Sequence, residues 1–154
     1  MGLFSFIKGA GAKIFGKKEE VPTDNRTPAE RKIDALKDEI TRLGLPVSDL
    51  NLDLGEHVSV TGITDTNANR EKIILALGNV EGVASVGDYI SVTNPEPEST
   101  FHEVKSGDTL SKISKEVYGD PMKYNMIFEA NQPMLSHPDK IYPGQILRIP
   151  ALTA

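Results

Sequence analysis

The chain has 154 residues, a formal net charge of -5, 38% hydrophobic residues, five phenylalanines, four tyrosines and no tryptophan. That length holds one ordinary domain or two small ones, and the acidic balance excludes a general nucleic-acid binder, which needs a basic surface to meet phosphate. With no cysteine in the chain, disulfides, thiolate zinc sites and cysteine nucleophiles are excluded as well.

In chain order, the first feature is a basic start. Residues 1–18 carry Lys8, Lys13, Lys17 and Lys18 and no acid, leaving 13 basic against 22 acidic side chains in the remainder. Leu3, Phe4, Ile7, Ala10 or Gly11, Ile14 and Phe15 recur at helical spacing with the lysines between them, which predicts an amphipathic helix over residues 2–16. The apolar run before Lys8 is too short for a secretory signal, and Phe6 stands where a myristoylation motif requires Ser or Thr. No stretch approaches the length of a membrane span, so stable membrane insertion is not expected and the protein reads as cytoplasmic. The polar stretch from Lys17 to Asn25, with Pro22, reads as a linker.

Thr27-Pro28-Ala29-Glu30 is a capping box with proline at the first helical position, so a helix is expected here. Ile33, Leu36, Ile40 and Leu43 form its apolar stripe, and Gly44 followed by Pro46 ends it. Leu50, Leu52 and Leu54 alternate with polar residues, Gly55-Glu56-His57 turns the chain, and Val58 and Val60 alternate again, giving a hairpin with one buried face. A second helix is expected from about Asn67 to Leu77, with Ile73, Ile74 and Leu77 inward and Gly78 as its stop signal. Val83, Val86, Ile90 and Val92 follow as one or two strands around Gly87-Asp88. Asn94 to Ser99 is a stiff, proline-rich acidic spacer that marks a domain boundary. Beyond it the pattern is a strand at Phe101 to Val104, short helices around Ile113 and Ile127, and a closing strand at Ile146 to Ile149.

The C-terminal pattern resembles a LysM domain: Val104, Gly107-Asp108-Thr109-Leu110, Ile113, Tyr118-Gly119, Asn131, Ile141, Gly144, Leu147, Ile149 and Pro150 occur in order, with His102 where an aromatic is usual. Val58 to Gly62 and Val80 to Val86, each after a helix, are similar to a BON domain. Together with Met1-Gly-Leu-Phe at the start, the whole chain resembles the bacterial cytoplasmic potassium-binding proteins of BON-LysM architecture.

That resemblance implies an α+β protein of two small domains, a BON domain of two helix-hairpin units and a βααβ LysM domain, behind an N-terminal amphipathic segment. The implied division is 1–24 for the N-terminal segment and linker, 25–93 for BON, 94–100 for the spacer and 101–151 for LysM. It also implies a monomeric K+-binding sensor that is not an enzyme, with K+ held by the main-chain carbonyls of Ile7, Ala10, Ala12, Gly78, Val80 and Val83. Such chemistry is sound, because weakly hydrated K+ is served by neutral carbonyls whereas carboxylate-rich sites favour calcium or magnesium. On the residues alone, Gly9, Gly11, Gly78 and Gly82 read as ordinary C-caps and turns, and it is the resemblance that favours a site there.

LysM domains hold N-acetylglucosamine polymers between two loops, which here implies a glycan groove at Gly107, Asp108, Thr109, Leu110, Ile141 and Tyr142. Peptidoglycan or a related glycan is therefore the alternative ligand. Other sites are weaker. Asp65 to Asn69 begins like a calcium loop but has Arg70 where glycine is required, so helix capping by Asp65 or Thr66 is expected. His57, His102 and His137 lie far apart and make no metal-ligand spacing.

Overall fold

A computed structural model describes residues 2–6, 28–55, 57–80, 83–95 and 99–150. The fold is α+β: a four-stranded sheet with two helices, followed by a smaller unit of two strands and two helices.

Helix α1 (Pro28–Leu43) has Glu30 in its first turn and Arg42 in its last, each complementing the helix dipole. Gly44, at φ 69°, lets the chain close the helix: its N–H bonds Thr41 O at 3.0 Å and Leu45 N–H bonds Ile40 O at 3.3 Å, a Schellman pair. Strands β2 (Ser48–Leu54) and β3 (Val58–Thr66) form the expected antiparallel hairpin, irregular between Ser48 and Asn51. Helix α2 (Asn67–Gly78) then crosses over to β4 (Ser85–Asn94), which lies parallel to β3. Leu36 and Ile40 of α1, Ile73, Ile74 and Leu77 of α2, and Val60 and Val86 of the sheet fill the core between helices and sheet.

One expectation is corrected and one is narrowed. Residues 2–5 form a strand, β1 (Gly2–Ser5), and not a turn of helix; it pairs antiparallel with β4, Gly2 opposite Asp88 and Ser5 opposite Ser85. The ladder continues to Phe6, whose N–H donates to Ala84 O at 2.8 Å. Leu3, Phe4 and Ile7 do fit a helical stripe, but the edge of β4 satisfies this backbone, while Phe4 and Phe6 find separate apolar contacts. Residues 7–16 of the expected helix lie outside the described residues. Gly87-Asp88, around which one or two strands are expected, sits inside one unbroken strand. Asp88 is fully buried there because Arg70 Nη1 reaches its carboxylate at 2.5 Å and Ile90 N–H donates to it at 3.0 Å. The second helix is thus followed by a single strand, and the sheet runs β1-β4-β3-β2 with its fourth place taken by the N-terminus.

The smaller unit has the expected βααβ order: β5 (Thr100–Glu103), α3 (Leu110–Tyr118), a 3-10 turn at Pro121–Lys123, α4 (Tyr124–Ala130) and β6 (Ile146–Ile149). Thr109 caps α3 by accepting Lys112 N–H at 3.1 Å, and Gly119, left-handed at φ 77°, ends it. Val104, Leu110, Ile113, Ile127, Leu135, Leu147 and Ile149 make a second core.

The two units are joined. Phe101, Met134 and Ile146 pack on the first core, and the Phe4 and Phe101 rings meet edge to face at 5.4 Å. Between them, Glu71 of α2 and Arg148 of β6 form a buried ion pair at 2.8 Å. Its remaining polar atoms are also met: Glu71 Oε2 accepts from Asn67 Nδ2 and Ser99 N–H, both at 3.1 Å, and Arg148 donates to Ala130 O at 3.1 Å and Ser99 Oγ at 2.9 Å. A buried pair is tolerable only when its hydrogen-bonding capacity is filled in this way.

Candidate functional site

Helix α2 begins at Thr66, whose hydroxyl accepts Asn69 N–H at 3.2 Å, and it points its C-terminal end at the loop leading to β4. A helix leaves its last carbonyls without partners inside it and carries partial negative charge at that end. No basic residue sits in the last turn of α2 to neutralise that charge. Gly78 is the last helical residue, and Val80 and Val83, both buried, are linked by Val83 N–H to Val80 O at 3.0 Å. That bond uses one of the two acceptor positions of the Val80 carbonyl. Ile7, Ala10 and Ala12, expected with these three, lie outside the described residues.

Gly78 has a reason for being glycine that its sequence context does not disclose. It is not left-handed, and the C-cap is Asn79, at φ -83° and ψ 39°. Instead the ring of Phe6 stands on Gly78, so that a Cβ there would lie 2.0 Å from Phe6 Cζ. The close approach brings the N-terminal chain to the end of α2, one peptide bond before Ile7.

Asn79, which sequence reasoning missed, binds the smaller unit. Its Oδ1 accepts Ile146 N–H at 2.9 Å, and its Nδ2 donates to Ile146 O at 2.8 Å and toward Met134 Sδ at 3.5 Å. Asn131 does the same two residues along β6, accepting Arg148 N–H at 2.8 Å and donating to Arg148 O at 3.0 Å. Ile146 and Arg148 face Glu103 and Phe101 across the β5–β6 pair, so their own backbone groups point away from β5 to these two amides. A Gly-Asn pair after a helix reads as a stop, and nothing local marks the asparagine as a partner for a distant strand.

The second candidate surface is a cleft of about 420 Å³ in the smaller unit, lined by Thr109, Leu110, Ser111, Tyr124, His137, Pro138 and Asp139. Thr109 and Leu110 are among the expected groove residues, while Gly107, Asp108, Ile141 and Tyr142 are not in the wall. Asp108 is spent on the turn: its carboxylate accepts Lys105 N–H at 2.9 Å and contacts His102 Nε2 at 3.2 Å. Those two partners, the Lys105 amide first, hold its carboxyl below the ordinary value. Gly107 supplies the same turn's left-handed residue at φ 88°. Ile141 packs on the second core, and burial pushes the Tyr142 phenol up to about 12. Among the described residues no helix is long and apolar enough to cross a membrane.

Residues 102–150 match the LysM domain family. A protein of Deinococcus radiodurans with no assigned function is 53% identical over 51 residues, which is 33% of this chain and 19% of that protein. The potassium binding protein Kbp of Escherichia coli O6:H1 is 46% identical over 155 residues, covering 97% of this chain and 99% of that one. With both the sheet unit and the LysM domain inside that alignment, the chain belongs to the family of the potassium binding protein Kbp.

Proposed function

We propose that this protein is a monomeric, cytosolic K+-binding protein. In this reading the ion is captured by main-chain carbonyls of Ile7, Ala10 and Ala12 in the N-terminal segment and of Gly78, Val80 and Val83 after α2, and capture changes how the LysM domain docks. The region that resembles a BON domain, residues 25–93, supplies half of the cage, and the 94–100 spacer connects it to the LysM domain. The observation that carries the reading is the likeness, over nearly the full length of both chains, to a relative named for potassium binding. The Phe6 ring on Gly78 supports it, since that contact brings residue 6, the neighbour of Ile7, to the end of α2. So does the end of α2, where helix carbonyls and the negative end of the dipole favour a cation. Titration calorimetry of the K+-free protein with KCl, and separately with NaCl at matched ionic strength, tests the proposal. Saturable heat with K+ alone is the expected outcome, and absence of heat with both salts ends the reading.

A second reading, glycan binding, is favoured by the LysM match and by the cleft, whose wall includes the aromatic ring of Tyr124 beside polar Thr109 and Ser111. Sedimentation with insoluble peptidoglycan tests it: retention that Tyr124→Ala abolishes supports the cleft, and equal recovery in the supernatant with and without glycan removes it.

A further inference from the structure

We propose that Asn79 is a positioning residue for the ion loop, through which the LysM domain holds the Gly78 and Val80 backbone in its binding orientation. The inference rests on the potassium reading above and deepens it.

Asn79 lies between two of the proposed carbonyl donors, and it is fastened at both ends of its own structure. Its N–H donates to Leu75 O at 2.8 Å. Within a planar trans peptide the N–H and the preceding C=O point in opposite directions, so this bond turns the Gly78 carbonyl away from the helix, out beyond its end. The side chain is fastened separately, by the pair of bonds to Ile146 and the contact with Met134. Asn79 is 7% exposed, and its amide oxygen and nitrogen are both engaged by the LysM domain. Rotating the backbone at 79 would therefore break contacts across the domain interface; separating the domains would leave the N–H bond to Leu75 in place but free the rotation at 79 through which the chain runs on to Val80. Any ion that requires one placement of the Val80 backbone relative to the Gly78 carbonyl must then favour the docked arrangement, and docking must favour the ion to the same degree, because binding couplings are reciprocal. The Glu71–Arg148 pair and the Phe4–Phe101 contact join the domains too, but neither belongs to the loop itself. Asn79 alone among these contacts is part of both the loop and the interface.

The experiment uses the full chain and reads two quantities. Hydrogen exchange at the Ile146 amide is compared in saturating KCl and in NaCl at equal ionic strength, and K+ affinity is measured for the unsubstituted protein, Asn79→Ala and Asn131→Ala. K+ is expected to slow exchange at Ile146. Asn79→Ala is expected to weaken K+ binding about tenfold or more and to abolish the K+ effect on β6 exchange. Asn131→Ala, which strips the equivalent brace from Arg148, is expected to lower the melting temperature yet keep the K+ effect at Ile146. A K+-binding protein whose Ile146 exchange is the same in both salts, or whose Asn79→Ala variant binds K+ as tightly as the original, overturns the inference while leaving the potassium reading intact. Failure of the unsubstituted protein to bind K+ overturns both. Should Asn79→Ala not fold, the comparison of salts in the unsubstituted chain decides.

Discussion

Phe6 occupies the space in which any side chain at residue 78 would have to stand. Adding a methyl group to Gly78 puts it 2.0 to 2.3 Å from three ring atoms, far inside contact distance, and the ring is held by the strand that carries it. Gly78→Ala is therefore an overpacking substitution, expected to cost about 1–3 kcal/mol in urea denaturation. If the cage reading holds, it also weakens K+ binding, because displacing Phe6 displaces the chain that leads to Ile7. The double variant Phe6→Ala/Gly78→Ala removes the clash without restoring the contact, so it should still bind K+ poorly. Full stability and affinity in Gly78→Ala would mean that the ring yields freely and positions nothing. The sequence marks Gly78 as the end of the helix, where α2 does end, but does not disclose the ring that stands on it. A glycine required by a ring from a distant strand and one required by a turn leave the same letter, and only packing separates them. The candidate loop was legible through family resemblance and not through periodicity, since main-chain ligands impose little on side chains.

The elements differ in how far their sequences specify them. Helices α1 and α3 carry their caps in adjacent residues, and the β2–β3 hairpin carries strict alternation, so all three were legible. Strand β1 was not: four apolar residues within five positions, Leu3 to Ile7, suit a helix face and a strand alike, and what decides is the vacant edge of β4. Strand β4 was legible from Val86, Ile90 and Val92, but not that it runs unbroken through Gly87-Asp88, where pairing with Arg70 lets Asp88 be buried. In the LysM unit, burial raises the Tyr142 phenol from 10.0 to about 12, and burial also raises Tyr118, whose hydroxyl donates to Pro150 O. For Tyr142 the folded state prefers the neutral phenol. Its contribution to stability is complete below the unfolded value of 10.0 and is lost as pH rises toward about 12. Thermal melts between those limits should show the original protein losing stability more steeply than Tyr142→Phe, and identical slopes would place the phenol in contact with water.

At the scale of the molecule, the two units share a boundary that is apolar at Phe101, Met134 and Ile146 and ionic at Glu71 and Arg148. Small units that bury charge between them should not melt separately, so calorimetry is expected to give one transition with equal calorimetric and van't Hoff enthalpies. Glu71→Ala, which leaves the Arg148 guanidinium buried and without its carboxylate, should cost about 3–5 kcal/mol. Two resolved transitions in the unsubstituted protein would show that the boundary is weaker than its geometry. The paired asparagines on β6 have a consequence outside the single molecule. A two-stranded sheet has little means of hiding its margins, and a strand with free amides and carbonyls is a template on which another chain can build. On β6 those groups, at Ile146 and Arg148, are already taken by two side-chain amides, each able to satisfy one residue and neither able to propagate a ladder. The contacts that fasten this protein to itself also keep that margin from recruiting strands of its neighbours in a crowded solution.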